Sequence, residues 1–397
     1  MLFKRREFIQ SGSLATASLM FPKFLKAFEH KNLVPPGNKV MVVIQFSGGN
    51  DGLNTVIPIN NDIYYKERPR LGIQKADALQ ITTDAGLNPA LSAFRELYDN
   101  GNLSILNSVG YPNPDRSHFR SMDIWQSASN ANDYINTGWV GRYLDAQCSG
   151  CDKPTQAVEI DDMLSLALKG NKQKGLAFTD PRRLYSSSNE SFYKEISKEH
   201  VNSEAAVDYL YKTMGDTISS ANYIFEQSKL RPSSASYPST KLAANLKTIA
   251  SLIMSDINTK VYYVSLGSFD THINQAAQQT RLFTELNDVI KEFTGDLKKN
   301  NRFEDVLIMT FSEFGRRVSQ NASNGTDHGT ANNMFFIGGD LKQKGLINTM
   351  PNLADLNSGD LKHQVDFKAV YATLLNKWLL ADDEAILGKN YQHLDFI

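Results

Sequence analysis

This 397-residue sequence has little cysteine, no excess of proline or glycine, and no long apolar run. Each of these features excludes a class of protein. Two cysteines are too few for a disulfide-framed miniprotein or for a zinc site built from cysteine alone. The 25 glycines and 13 prolines are too few for a collagen-like or disordered chain. No uninterrupted apolar run reaches about 18 residues, so the sequence predicts no transmembrane span.

An excess of charge of one sign is also missing. Lysine and arginine total 42 against 43 aspartates and glutamates, which gives a net charge of −1. Because a nucleic-acid binder needs a broad positive field, no nucleic-acid partner is expected. Hydrophobic residues make up 41% and charged residues 21% of the chain, a balance typical of a soluble globular protein with a core.

The first 30 residues are interpreted as an export signal. Arg5 and Arg6 precede an aromatic residue and a short, mildly apolar segment from Ser11 to Phe21, which is the pattern of a twin-arginine signal. The alternative is the basic first turn of an ordinary amphipathic helix, but no acidic residue occurs between Glu7 and Glu29, which favours export. We therefore expect a protein of the periplasm or cell envelope. Because no clear cleavage site follows, removal of the signal and its retention as a membrane anchor are both open.

From residue 38 to residue 397, apolar runs of strand length alternate with helical patterns. The runs at 40–46 and 306–311 are rich in β-branched and aromatic residues, as buried parallel strands are. Segments such as 242–257 place apolar residues on one helical face. This alternation predicts one α/β domain, with a mostly parallel sheet covered by helices on both faces.

The amino-acid composition changes between residues 181 and 240. Serine-rich segments at 186–188 and 233–236 bracket a polar helical stretch from about Ser203 to Ser228. We interpret residues 181–240 as a helical insertion within the main domain and as a candidate cap over its site.

Carboxylates and imidazoles recur where the predicted strands end. Ligands bind at the carboxyl ends of the strands in an open parallel sheet, so these side chains are expected to meet at one edge. Each has a local explanation, such as a turn residue at Asp51 or a helix cap at Asp270. Their convergence instead favours a site for a divalent metal, with one or two ions held by oxygen and nitrogen. The candidate ligands are Asp51, Asp270, His272, Glu313, Asp327 and His328.

Ser117 is the candidate nucleophile. It follows a predicted strand at the start of a predicted helix, where free backbone N–H groups and the helix dipole favour negative charge. Metal coordination would make its hydroxyl nucleophilic at neutral pH, and Arg116 and Arg120 are candidates to clamp an oxyanion. The alternative is that Ser117 is only a helix N-cap.

Four motifs occur together in one order and carry a resemblance to a known family. They are Gly48–Thr55, Gly110–Phe119, Ser312–Arg316 and Gly325–Gly329. With its twin-arginine start, the sequence resembles a large bacterial family of exported proteins of unknown function, grouped with the alkaline phosphatase and sulfatase-like superfamily. The combination is specific although each motif alone is weak, and the resemblance spans roughly residues 1–380. It implies a three-layer α/β/α sandwich and metal-dependent hydrolysis or transfer of phosphate or sulfate esters.

By position, the resemblance implies roles for five residues. Asp51 matches the first-strand metal ligand of the superfamily, and Ser117 matches its nucleophile. Asp270 and His272 resemble the Asp-and-His pair of one metal, although their spacing is Asp-x-His where Asp-x-x-x-His is common. His328 matches the late histidine ligand.

The sequence departs from the superfamily pattern after the strand at 306–311. Glu313 and Phe314 stand where Asp-His usually follows, which puts a second metal in question. His118 or Asp327 is the candidate to replace the missing histidine. A site with one metal, or a degenerate site with none, is the alternative.

Two functions follow from these features. The first is an exported metal-dependent hydrolase that acts on a small anionic phosphate or sulfate ester, or on a glycan that carries one. The second is a non-catalytic envelope protein that uses the same fold to bind a protein or an anionic glycan. Convergence of the candidate groups on metal-ligand distances of about 2.0–2.6 Å distinguishes the two. Cys148 and Cys151, which can form a small loop disulfide, are assigned no function.

Overall fold

The computed structural model describes residues 39–147, 155–191, 195 and 205–397. The candidate export signal with Arg5 and Arg6, and the pair Cys148 and Cys151, lie outside the described residues. None of the described helices combines the length and the apolarity that crossing a membrane requires.

The strands in the described part of the chain are short at the periphery and long in the centre. In chain order they are β1 (Val40–Phe46), β2 (Val56–Ile57), β3 (Leu79–Gln80), β4 (Gly86–Leu87), β5 (Leu103–Gly110), β6 (Ala157–Glu159), β7 (Leu176–Ala177), β8 (Val261–Leu266), β9 (Val306–Ser312), β10 (Asn332–Ile337), β11 (Gly345–Leu346), β12 (Leu356–Asn357), β13 (Asp360–Leu361) and β14 (Val365–Asp366).

The helices lie between these strands. In chain order they are α1 (Asp62–Glu67), α2 (Ser92–Asp99), α3 (His118–Ser127), α4 (Trp139–Gln147), α5 (Pro181–Ser188), α6 (Ala205–Leu230), α7 (Lys241–Met254), α8 (Gln275–Lys299), α9 (Phe367–Thr373) and α10 (Asp383–Leu387). Single 3₁₀ turns occur at Gly52–Asn54, Leu166–Leu168 and Phe303–Asp305, and α9 runs on into a π-helical segment, Leu374–Trp378.

The main sheet is mostly parallel, as the sequence predicts. Its strand order is β11-β5-β10-β9-β1-β8-β6-β7, with β14 beside β5. Every pair in it is parallel except those of β10, which runs antiparallel to β5 and β9. The central β1 is buried at all seven positions, which explains its nearly continuous apolar sequence.

Helices cover both faces of this sheet. Alternate side chains of β1 point to opposite faces, so Val42 and Ile44 enter one apolar cluster while Met41 and Val43 enter the other. The first cluster includes residues of α2, α7 and α8, and the second includes residues of α3, α4 and α9. The predicted three-layer α/β/α architecture is therefore confirmed.

The topology gathers five loops at one edge of the sheet. The carboxyl ends of β1, β5, β8 and β9 lie at the same edge, because these strands point the same way. Strand β10 runs the other way, so the loop that precedes it also reaches this edge. The loops after the four parallel strands and before β10 carry the polar motifs of the sequence.

Candidate metal centre

Three histidines and one aspartate meet at the edge where the five loops gather. His118 is the first residue of α3, Asp270 and His272 follow β8, and His328 precedes β10. The Nε2 atoms of His272 and His328 lie 3.1 and 3.3 Å from Oδ1 of Asp270. The Nε2 atom of His118 lies 3.6 Å from Oδ2 of the same carboxylate. We call these four residues the histidine cluster.

Ligand atoms of the histidine cluster lie close together, and three of the four residues form a group that could hold one ion. The Nε2 atoms of His272 and His328 are 3.0 Å apart. Ligand atoms of His118, Asp270 and His328 all lie within 4.8 Å of one another. Two ligands of one metal, each at about 2.0–2.2 Å from it, lie at most about 4.4 Å apart, so the spacing of these ligand atoms is close to what one shared ion requires.

Carboxylates orient two of the imidazole rings through their Nδ1 atoms. Nδ1 of His118 lies 2.8 Å from Oε1 of the buried Glu313. Nδ1 of His272 lies 3.2 Å from Oδ1 of Asp327. A carboxylate accepts the Nδ1 proton, so each Nε2 keeps its lone pair for the centre of the cluster.

The third ring is held by a backbone carbonyl. Nδ1 of His328 donates to the carbonyl oxygen of Arg116, at 2.8 Å. In all three rings, therefore, one nitrogen is held from outside and Nε2 faces the Asp270 carboxylate. The Nε2 atom of His118 is buried and has no hydrogen-bond partner among the described residues.

The surroundings shift the protonation equilibria of the cluster. The hydrogen bond to Glu313 raises the pKa of His118, whereas burial lowers the pKa of His328. Burial opposes ionisation of Asp270, but the Arg316 guanidinium, His328 and His272 together outweigh it, and the pKa of Asp270 falls below its ordinary value. The cluster therefore combines an ionised carboxylate with imidazoles that differ in basicity.

Arg316 ties the loops of the site together, a role that sequence reasoning missed. Its side chain is fully buried and donates to Oδ1 of Asp270 at 2.7 Å. It also donates to four backbone carbonyls from three loops, those of Gly48, Gly49, Phe269 and Thr326. The only sequence signal for this role is its place in the motif Ser312–Arg316.

Asp51 lies outside the histidine cluster, contrary to the sequence expectation. Its Oδ2 atom pairs with Nη1 of the buried Arg68 at 2.6 Å and also accepts from the Gln275 amide. Its Oδ1 atom accepts from the backbone N–H of Leu53 at 3.2 Å. The guanidinium of Arg68 thus supplies the positive charge that a metal was expected to provide.

Glu313 and Asp327 also differ from the ligands that the sequence suggested. Both carboxylates contact Nδ1 atoms of the cluster, as described above, rather than the Nε2 side. Oε1 of Glu313 in addition accepts from the backbone N–H of Gly48 at 2.8 Å. These two residues position imidazole rings.

Ser117 lies between two residues that touch the cluster. The carbonyl of Arg116 holds His328, and the ring of His118 belongs to the cluster. Ser117 is exposed and occupies the N-cap position of α3, but its side chain makes no capping hydrogen bond. The backbone N–H of Ser117 instead donates to Oδ1 of Asp115 at 2.7 Å.

The two candidate arginines have different surroundings. The half-exposed side chain of Arg116 pairs with the buried carboxylate of Asp360. Arg120 donates to backbone carbonyls within 130–133 and stacks on Tyr134, with its guanidinium carbon 3.9 Å from the ring centroid. Arg120 therefore holds a loop, and the structure does not favour it as an oxyanion clamp.

Phe314, at the place of the expected histidine, packs against the cluster. Its ring centroid lies 4.8 Å from that of His118 and 4.7 Å from that of His328. An apolar ring there fixes the imidazoles from one side but offers no ligand atom.

The sequence matches a protein-family model described as "Protein of unknown function (DUF1501)" over residues 103–394. No curated protein sequence matches this chain.

Solved structures show distant similarity. The PsFucS1 sulfatase from Pseudoalteromonas sp. is 13% identical with a TM-score of 0.41, over 97% of this chain and 74% of that chain. A protein in the alkaline phosphatase superfamily from Vibrio parahaemolyticus is 10% identical with a TM-score of 0.36, over 98% and 78%. The C-terminal periplasmic domain of EcEptC from Escherichia coli, in complex with Zn, is 10% identical with a TM-score of 0.37, over 77% of each chain. At these similarities, the function of the site has to be inferred from its own residues.

Proposed function

The chain belongs to the DUF1501 family of proteins of unknown function, and we propose that it is a metal-dependent hydrolase of phosphate or sulfate esters in the cell envelope. The observation that supports this most directly is the convergence of three imidazole Nε2 atoms on the Asp270 carboxylate. Each ring is held at Nδ1 by an acceptor, which is the arrangement of metal-binding histidines.

The residues present fit one divalent ion. His118, Asp270 and His328 would hold it, and His272, whose Nε2 atom lies 3.0 Å from that of His328, is the proposed fourth ligand. Such nitrogen and carboxylate donors suit Zn²⁺ or a similar transition metal. The buried Nε2 atom of His118 has no hydrogen-bond partner among the described residues, and its lone pair would bind such an ion. Because Asp51 is neutralised by Arg68, we propose one ion rather than two.

Ser117 and Arg116 are the residues proposed to act on the ester. A bound divalent metal supplies positive charge that favours an ionised hydroxyl and neutralises an oxyanion. The Oγ atom of Ser117 attacks the phosphorus or sulfur atom, the bond to the leaving oxygen breaks, and the hydroxyl proton ends on that oxygen. Water then hydrolyses the seryl ester, which restores the serine hydroxyl and releases phosphate or sulfate. The exposed part of the Arg116 guanidinium would hold an oxyanion of the transferred group.

The proposal is tested first by metal content. Protein purified without chelator is expected to contain about one equivalent of metal by elemental analysis. His118→Ala and His328→Ala should each lose most of it. His393→Ala is the matched control, because His393 pairs with Asp383 at 2.9 Å and does not belong to the cluster. Equal metal content in all four proteins would contradict the proposed ligands.

Turnover is measured on the wild type and on two serine variants. Aryl phosphates and aryl sulfates, each with Mg²⁺, Mn²⁺, Ca²⁺ or Zn²⁺ supplied, should reveal hydrolysis by the wild type. Ser117→Ala should lower kcat on the order of 10³-fold or more and keep its metal, whereas the exposed Ser187→Ala on α5 should change neither. A metal-loaded wild type that is silent on the whole panel would favour the non-catalytic binding protein.

A further inference from the structure

A cavity of about 500 Å³ opens beside the histidine cluster. Arg116 and Phe314 line one wall, and both touch the cluster, Arg116 through its carbonyl and Phe314 through ring contacts. The hairpin of β12 and β13 also lines the cavity, with Asn357 and Ser358. The volume is in the range of small-molecule sites, and the lining includes Arg116, the chain neighbour of Ser117.

The charged side chains around this cavity are largely compensated. Arg116 pairs with Asp360, and Lys362 pairs with Asp355. Asp115, which also lines the cavity, accepts the backbone N–H of Ser117. The remaining polar lining includes the uncharged side chains of Asn113, Thr330, Asn357 and Ser358, together with the imidazole of His363. The cavity therefore offers hydrogen bonds with little net charge.

Asp360 carries an unused acceptor. The residue is fully buried and lines the cavity, yet its Oδ1 atom has no hydrogen-bond donor among the described residues. The Nε atom of Arg317 lies 3.7 Å from this Oδ1 atom, which is beyond hydrogen-bond length. A buried carboxylate oxygen without a donor is costly, and a hydroxyl of a ligand would remove this cost.

We propose that the cavity binds an uncharged, hydroxyl-rich leaving group, namely the sugar ring of a sugar phosphate or sugar sulfate, with Asp360 accepting a hydroxyl. This inference rests on the proposed hydrolase function for the place of the ester bond. The negative group of the ester lies at the cluster and the sugar lies in the cavity, with Arg116 at the border between them. Arg116 and Lys362 are the arginine and lysine side chains among the described lining residues, and both already pair with carboxylates, so an uncharged leaving group matches the cavity better than an anionic one.

The test uses binding of the free sugar, which does not require turnover. Saturation-transfer NMR with methyl glycosides of glucose, galactose and mannose should detect binding of at least one by the metal-loaded wild type. Asn357→Trp, which places a large side chain on the exposed hairpin that lines the cavity, should abolish this binding. Asp360→Asn should weaken it about 10-fold or more, the effect expected for a hydrogen bond to a charged group. Asn390→Trp, at an exposed position far along the chain, is the control and should bind as the wild type does.

Kinetics then separate the two proposals. Asn357→Trp is expected to lower kcat/KM for the corresponding hexose 6-phosphate or 6-sulfate at least 10-fold. If the wild type binds a glycoside but hydrolyses no ester, the hydrolase proposal fails and the cavity assignment stands. If no glycoside binds, if Asn357→Trp binds as well as the wild type, or if glycerol competes as strongly as the hexose, the sugar assignment is overturned.

Discussion

Single residues decide which nitrogen of each histidine is available. His118, His272 and His328 all present Nε2 to one carboxylate because their Nδ1 atoms are occupied by a carboxylate or a carbonyl. A carboxylate that follows a strand can bind a metal or orient a histidine, and the sequence pattern is the same in both cases. Glu313 shows this ambiguity, since its contact with His118 spans 195 positions in the chain.

The buried carboxyl group of Glu159, at the end of β6, makes the free energy of unfolding depend on pH. Burial raises its pKa to about 7, from the ordinary 4.5, although its carboxylate accepts the Ser165 N–H at 2.6 Å. Between these two values the folded protein holds a proton that the unfolded chain has released. The stability contributed by this group is therefore present below about pH 4.5 and is lost as the pH rises towards 7.

Glu159→Gln should remove this loss, because the amide stays neutral and can still accept from Ser165. The free energy of unfolding of the variant, relative to the wild type, is expected to rise by up to about 3 kcal/mol between pH 5 and pH 8. Urea unfolding of both metal-free proteins at several pH values measures this difference, and contributions from the other titrating groups cancel. A difference that does not change with pH would contradict the assignment.

The turn after β1 packs directly against the loop after β8. Gly48 has φ +120°, and a Cβ atom there would lie 2.4 Å from the backbone nitrogen of Asp270. Its own N–H donates to Glu313. A side chain at this position would therefore displace Asp270 and disturb the residue that orients His118.

Gly48→Ala should lower the free energy of unfolding by about 2 kcal/mol or more and weaken metal binding at the same time. Gly267→Ala, in the loop after β8, is the matched control because no atom lies within 4 Å of its added Cβ. Thermal unfolding and metal titration of both variants check this. Equal behaviour of the two variants would show that the close approach does not constrain the site.

Helix boundaries show where local pattern is overruled by contacts. Apolar spacing predicts a helix from Asn88, but α2 begins at Ser92. The side-chain amide of Asn88 donates to the backbone carbonyl of Asn54 at 2.8 Å. The backbone N–H of Asn88 donates to the backbone carbonyl of Thr55 at 3.0 Å. Residues 88–91 are thus held in a turn by a segment more than 30 positions away.

The region 181–240 contains the predicted long helix. In the described residues, α5 and α6 pack together, with the rings of Tyr185 and Phe225 stacked 4.2 Å apart. Ala221 and Ile224 of α6 join the apolar cluster on one face of the sheet. That this region is an insertion and a cap over the site stays a prediction.

Export of the whole protein is expected to depend on Arg5 and Arg6. Replacing both Arg5 and Arg6 with lysine keeps the positive charge but removes the paired guanidinium groups that the twin-arginine route is expected to read. Folded protein should then accumulate in the cytoplasm, as measured by fractionation and immunoblotting. The single change Lys4→Arg is the control and should leave delivery unaltered. Normal delivery of the double variant would remove the twin-arginine interpretation.

Hydrophobic patterning along the chain was enough to predict the architecture and the edge of the sheet at which the site forms. Nearly continuous apolar runs such as β1 and β9 fit only strands covered on both faces, and parallel strands place their following loops on one edge. These are consequences of local hydrophobic periodicity and of strand direction, so His118, Asp270 and His328 could be expected in one region.

The contacts of each polar group in that region depend instead on the tertiary structure. Asp51 meets the guanidinium of Arg68, 17 positions away, and nothing in the local sequence marks this arginine as its partner. Arg316 reaches Asp270 and carbonyls of three loops because the sheet brings distant loops within reach of one side chain. Secondary structure follows from neighbours in the chain, but ion pairs and hydrogen bonds depend on distances of a few ångströms between segments far apart in sequence, which folding alone establishes.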